Sequence, residues 1–143
     1  MLMGSFLAGT AFNNSPVSGI HALAYPVALN FGVPHGLSNS LMMPHVMRFN
    51  ALNASKDYAE IANFIIPGLK LGKTHQETTE NLLEGIEQLV TDFGIESKLR
   101  QVNVKESDIE SMAKDAMKQW RLLPHNPREI QYEDAYEIYK KAF

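Results

Sequence analysis

The sequence contains no cysteine. That excludes a disulfide framework, a zinc–thiolate cluster and a thiol nucleophile, and it suits a cytoplasmic location. No lysine, arginine, aspartate or glutamate precedes Arg48; the 13 basic and 16 acidic residues all lie from there onward. The net charge of −3 offers no basic surface, so neither nucleic acid nor an anionic membrane is expected as a partner. The apolar start has no basic residues ahead of it, as a signal peptide would require. The charge-free stretch exceeds the roughly 20 residues of a membrane span. Asn13, Asn14, Pro16, His21, Pro26, Asn30, Pro34 and His35 interrupt it, and it reads instead as a buried core segment.

Other signatures are missing too. No Gly-x-Gly-x-x-Gly or phosphate-binding loop occurs, and no Gly-x-Ser-x-Gly elbow. Basic and aromatic residues do not interleave as a nucleic-acid platform requires. Alternating β-branched runs and internal repeats are absent.

What remains is helical. The 143 residues, 45% of them hydrophobic, suffice for one domain with its own core. The expected fold is all-α, a bundle of about six to eight helices. Residues 1–143 are expected to form a single metal-binding domain. Its charge-free segment 1–47 would carry the site, with amphipathic helices over 48–143 covering it.

Residues 1–12 predict a helix packed on both faces, because Leu2, Phe6, Leu7 and Phe12 leave no polar side. With no cap in front, the chain is expected to begin in mid-structure. Ser15 and Pro16 fit the start of a second helix running to Phe31, bent or broken near Pro26. Gly32-Val33-Pro34 is a turn. A third helix runs from Leu37 to Met43, with His45 to Asn50 as its continuation, and Ser55 caps a separate helix over Lys56–Ile66.

Thr74 and Glu77 form a capping box for a helix with Leu82, Leu83, Ile86, Leu89, Val90 and Phe93 on one face. Ser107 and Glu110 form a second, ahead of a core stripe from Ile109 through Met112, Ala113, Ala116 and Met117 to Trp120. Leu122–Arg128 is a loop and Tyr132–Phe143 a closing helix.

Two histidines stand in the charge-free segment, His21 and His35, fourteen positions apart. A buried imidazole needs a partner. For His21 that partner is a backbone carbonyl in the commoner case, or a metal. For His35, at a Pro-His-Gly turn, it is a turn contact or a metal. Tyr25 lies four residues after His21 and shares its face. His45, His75 and His125 read as structural or exposed. Two imidazoles do not close a metal site, which takes at least three protein ligands. No Asp-x-x-x-His or His-x-x-x-His pair supplies the others.

The stretches AGTAFNN, GIHALAYP, PHGLSN and MPHVMRFN, in that order and spacing, closely resemble the signature region of iron-containing (group III) alcohol dehydrogenases. The ending HNPREIQYEDAYEIYKKAF resembles the C-terminus of that family. The resemblance spans essentially the whole chain and implies the C-terminal helical domain of a dehydroquinate synthase-like fold, with the NAD(P)-binding α/β domain absent. In the family, iron(II), sometimes zinc, is held between the domains by one aspartate and three histidines. His21 and His35 match two of those histidines; the other two ligands lie upstream of the matched region.

Many relatives carry a second histidine near the nicotinamide at the position of Tyr25. A phenol gives up its proton far less readily than an imidazole, which puts the usual relay role in doubt here and leaves Tyr25 as a pocket or proton-relay residue.

The resemblance implies NAD(P)-linked interconversion of alcohols with aldehydes or ketones, with the isolated chain inactive. Two alternatives stand beside it: a subunit of a split dehydrogenase that needs a separate nucleotide-binding chain, and a non-catalytic helical interaction domain. An uncovered inter-domain face implies homo-oligomers of the isolated chain.

Overall fold

In the computed structural model, which describes residues 2–143, the chain folds into six α-helices with short 3-10 turns between them. Among the described residues there is no strand, and no helix is long and apolar enough to cross a membrane.

The core forms around α2 (Gly19–Phe31), where Ala22, Leu23, Ala24 and Val27 are fully buried. Alanines let neighbouring helices approach closely, so this short apolar helix sits at the centre of the larger cluster. Around it lie α3 (His35–Ile65), α5 (Ile109–Ala116) and α6 (Tyr132–Ala142), together with Leu99, Val102 and Val104 of the intervening segment. A second cluster, Met47, Ala62, Leu82, Leu83 and Ile86, joins the later part of α3 to α4 (His75–Asp92). The helix α3 therefore belongs to both.

Pro26 and Pro44 both sit inside helices. Each removes one i→i−4 hydrogen bond, yet neither ends its helix, because the residues on both sides are held by packing: Ala24 and Val27 in α2, Met42 and Val46 in α3. For the same reason the expected break at Ser55 is absent. One 31-residue helix replaces the two shorter ones, with Ala54 and Ala62 buried on a common face.

Three further expectations are corrected. The first helix, α1 (Leu2–Asn14), forms but has no buried residue; Leu2 is 89% exposed and Phe6 68%. Its apolar character has no partner among the described residues. The second helix starts at Gly19, not at Pro16, and its Ser18 cap makes no side-chain hydrogen bond. A Cβ on Gly19 would come within 2.5 Å of Asn126 Oδ1 and 2.7 Å of Ile130 Cδ1, so close packing fixes the entry point. Trp120 lies beyond the end of α5 and is 71% exposed, with Arg121 stacked on its ring; it is not core.

At the start of α4, Thr74 Oγ1 accepts from the Glu77 backbone N–H at 3.1 Å, while Glu77 Oε2 accepts from Lys73 N–H at 2.8 Å. Glu77 thus reaches one residue further back than a standard capping box. The expected Ser107–Glu110 box is replaced by Asp108, which accepts from Lys105 N–H at 2.9 Å, and Glu110 pairs with Lys114 instead. A 3-10 turn over Glu106–Asp108 moves the capping contact two residues toward the N-terminus.

Candidate metal-ligand pair

The helix α2 presents His21 and, one turn later, Tyr25. Gly32 then adopts a left-handed conformation at φ 66°, which favours glycine and ends the helix. Pro34 follows with extended geometry, and α3 begins at His35. This turn folds the start of α3 back toward α2. The His21 and His35 rings come to 5.2 Å between centres, inclined at 51°. Tyr25 completes the group, 6.4 Å from the His21 ring and 6.5 Å from the His35 ring. The three residues singled out in the sequence thus meet at one place. His21 and Tyr25 are half-buried and His35 is exposed.

The electrostatics favour neutral imidazole at His21. Burial pushes its pKa below the ordinary value, and the neighbouring His35 lowers it further. Neutral imidazole is the form that binds metals. Two imidazoles on one divalent ion, each nitrogen about 2.1 Å from it, have ring centres roughly 4.6–5.3 Å apart for coordination angles between a right angle and the tetrahedral angle. The observed separation of 5.2 Å falls in that interval, so the ring spacing is compatible with two positions on such an ion. Among the described residues, however, no group of three or more histidine, cysteine, aspartate or glutamate side chains converges.

The other histidines lie elsewhere. His75 and His125 are exposed. His45 is half-buried between two surface cavities, of about 240 and 330 Å³, lined respectively by α3–α4 residues with Lys98 and by α3–α6 residues with Arg128. Burial, then Lys98, with smaller contributions from Arg48 and Lys141, takes its pKa down to about 4 against the opposing pull of Glu87.

Two residues near the pair escaped the sequence reading. Asn39 donates from its amide to the His35 carbonyl oxygen at 2.8 Å; its spacing of four from His35 at a helix start was the available signal. Tyr139 is fully buried in α6 and donates its hydroxyl to the Leu23 carbonyl oxygen at 2.6 Å, and no local pattern points to it.

The fold and the clustered rings define an all-helical module that brings two imidazoles and a phenol together at the junction of two helices. Over residues 1–143 the chain matches the family described as Fe-containing alcohol dehydrogenase family, C-terminal. It is 38% identical over 143 residues to long-chain-alcohol dehydrogenase 1 of Geobacillus thermodenitrificans, covering all of this chain and 36% of the relative. It is 34% identical over 144 residues to the lactaldehyde reductase of Escherichia coli, covering all of this chain and 37% of that protein. A crystal structure of 1,3-propanediol oxidoreductase superposes with a TM-score of 0.89 at 33% identity, over 97% of this chain and 36% of that one.

The chain belongs to the iron-containing alcohol dehydrogenase family and corresponds to its C-terminal domain. It spans little more than a third of the length of these curated relatives.

Proposed function

We propose that this chain contributes His21 and His35 as two ligands of a divalent metal, iron(II) or zinc, in an NAD(P)-linked oxidoreduction of alcohols and aldehydes. The observation that carries the reading is the His21–His35 pair, 5.2 Å apart, with His21 held toward its neutral form. The names of the relatives, alcohol dehydrogenases and a lactaldehyde reductase, support the substrate class. When bound, the ion supplies Lewis acidity toward an alcohol or carbonyl oxygen.

The residues of this chain have separate tasks. His21, in the more protected position, anchors the ion from α2, and His35 does so from the start of α3. Tyr25, whose ring lies 6.4 Å from that of His21 and 6.5 Å from that of His35, would bound the substrate pocket and offer its hydroxyl to a substrate oxygen. The remaining ligands and the nucleotide site come from polypeptide outside these 143 residues. The bare apolar surface of α1 supports docking against such polypeptide, either continuous with this chain or as a separate subunit.

The test is calorimetric titration of the chain with zinc(II) and, anaerobically, iron(II), comparing wild type with His21→Ala. Micromolar or tighter binding that is lost in the variant supports the reading. Absence of binding in folded wild type removes the preformed half-site. An NADH-linked alcohol assay on the chain alone with added iron is expected to show no turnover above background.

A further inference from the structure

Asn39 lies one helical turn after His35 and makes unusual use of its side chain. Its amide nitrogen donates to the His35 carbonyl oxygen at 2.8 Å and lies 3.4 Å from Nδ1 and 3.3 Å from Nε2 of the same imidazole. A donor almost equidistant from both ring nitrogens sits over the face of the ring. In the ring plane, the same distances would drive it into the carbon between them. The contact is therefore an N–H directed at the π face, and it leaves the in-plane position of each ring nitrogen free. Ser38 Oγ donates to the same His35 carbonyl at 2.9 Å, so backbone and ring are held together.

The other end of the amide is left without a partner. Asn39 Oδ1 is buried and accepts no hydrogen bond, a costly state for a polar atom. Turning the amide over would set two carbonyl oxygens against each other at 2.8 Å, so the orientation is dictated by His35. A residue kept for the fold alone would satisfy its own oxygen. This one gives its donors to His35 and leaves its acceptor orphaned.

We infer that Asn39 is a positioning residue for His35, holding the imidazole by its face and its carbonyl so that the ring nitrogens stay available to a divalent metal. The inference rests on the metal-ligand reading of His21 and His35. It implies that the ring orientation is set before any metal arrives.

The test uses the 143-residue chain and Asn39→Leu, which keeps the bulk but removes the amide, with Asn39→Ala as a second variant should leucine not fit. The first readout is NMR side-chain couplings of His35 in metal-free protein. Wild type is expected to show one χ1 rotamer and the variants averaged couplings. The second is zinc(II) titration, with affinity expected to weaken at least tenfold in the variants. The third is thermal unfolding, with the midpoint of Asn39→Leu expected to hold or rise because the orphaned carbonyl is gone.

A single His35 rotamer in both variants, with zinc affinity within twofold of wild type, overturns the inference whatever the midpoint does. If wild type binds no zinc, the metal reading fails and the rotamer readout alone decides the role of Asn39.

Discussion

The Tyr139 hydroxyl donates to the Leu23 carbonyl oxygen at 2.6 Å, joining residues 116 apart in sequence. Leu23 lies two residues after His21, on the helix at the centre of the core, so the last helix of the chain pins the helix that carries one of the paired imidazoles. Burial holds the Tyr139 phenol well above its ordinary pKa, with Asp115 adding to the effect, so the hydroxyl stays a donor at all ordinary pH.

Tyr139→Phe removes this donor while keeping the ring. Leu23 retains its helical partner, so the expected loss is that of one ordinary buried hydrogen bond, about 1 kcal/mol. Thermal or urea unfolding checks it. A loss above about 3 kcal/mol would point to disturbed packing around the ring rather than to the bond.

Gly19→Ala is expected to destabilise by about 2 kcal/mol. Its Cβ would press on Asn126 Oδ1 and Ile130, and Asn126 has little freedom to yield. It exchanges hydrogen bonds of 3.0 and 2.6 Å with the buried Asn50 and donates to the Arg128 carbonyl oxygen at 2.6 Å. Urea unfolding of the variant measures the cost, and an unchanged midpoint would mean the loop retreats freely.

His45 makes stability depend on pH. Its folded-state pKa of about 4 lies below the ordinary 6.5, so the unfolded chain binds the proton more readily. The contribution is complete above about pH 6.5 and is lost as pH falls from there toward 4. Lys98, Arg48 and Lys141 oppose a charge on the ring, and Glu87 partly offsets them. Acidification through this window is expected to cost on the order of 2 kcal/mol, and His45→Gln should flatten the dependence. Urea midpoints at several pH values for both proteins decide it.

Deleting residues 1–14 is expected to leave the stability of the remainder within about 0.5 kcal/mol of wild type, because α1 buries no residue. The same deletion should reduce self-association in sedimentation, since it removes the exposed Leu2, Met3, Phe6, Leu7 and Phe12. A large fall in the unfolding midpoint would show that α1 packs on the bundle in solution.

Much of the helical pattern was legible locally. The turn at Gly32-Val33-Pro34, the Thr74 cap, the closing helix and the Leu82, Leu83, Ile86 and Val90 part of the α4 face follow from periodicity and capping chemistry, which act over four residues or fewer; Leu89 and Phe93, expected on the same face, are exposed. Errors arose where such local signals compete with packing. Pro26 and Ser55 look like helix breaks, yet helix continues through both. Trp120 continues the spacing of a buried stripe, yet the helix has ended before it.

Of the site, His21 and His35 stood out because imidazoles in a charge-free segment demand partners, and Tyr25 through its helical spacing from His21 and the family resemblance. Asn39 did not, because its role depends on which end of its amide is satisfied.

The all-α class, the approximate helix positions and the family are written in residue order, since helix periodicity, turn residues and long spaced motifs are properties of neighbours along the chain. Other features depend on contacts between residues far apart. Such contacts bring His21 and His35 to 5.2 Å, tie Tyr139 to Leu23 across 116 positions and leave α1 with no buried residue while Ala22, Leu23, Ala24 and Val27 of α2 are fully buried. The physical reason is that burial is a property of packed surfaces: two charge-free apolar helices are buried or left bare according to whether another helix reaches them.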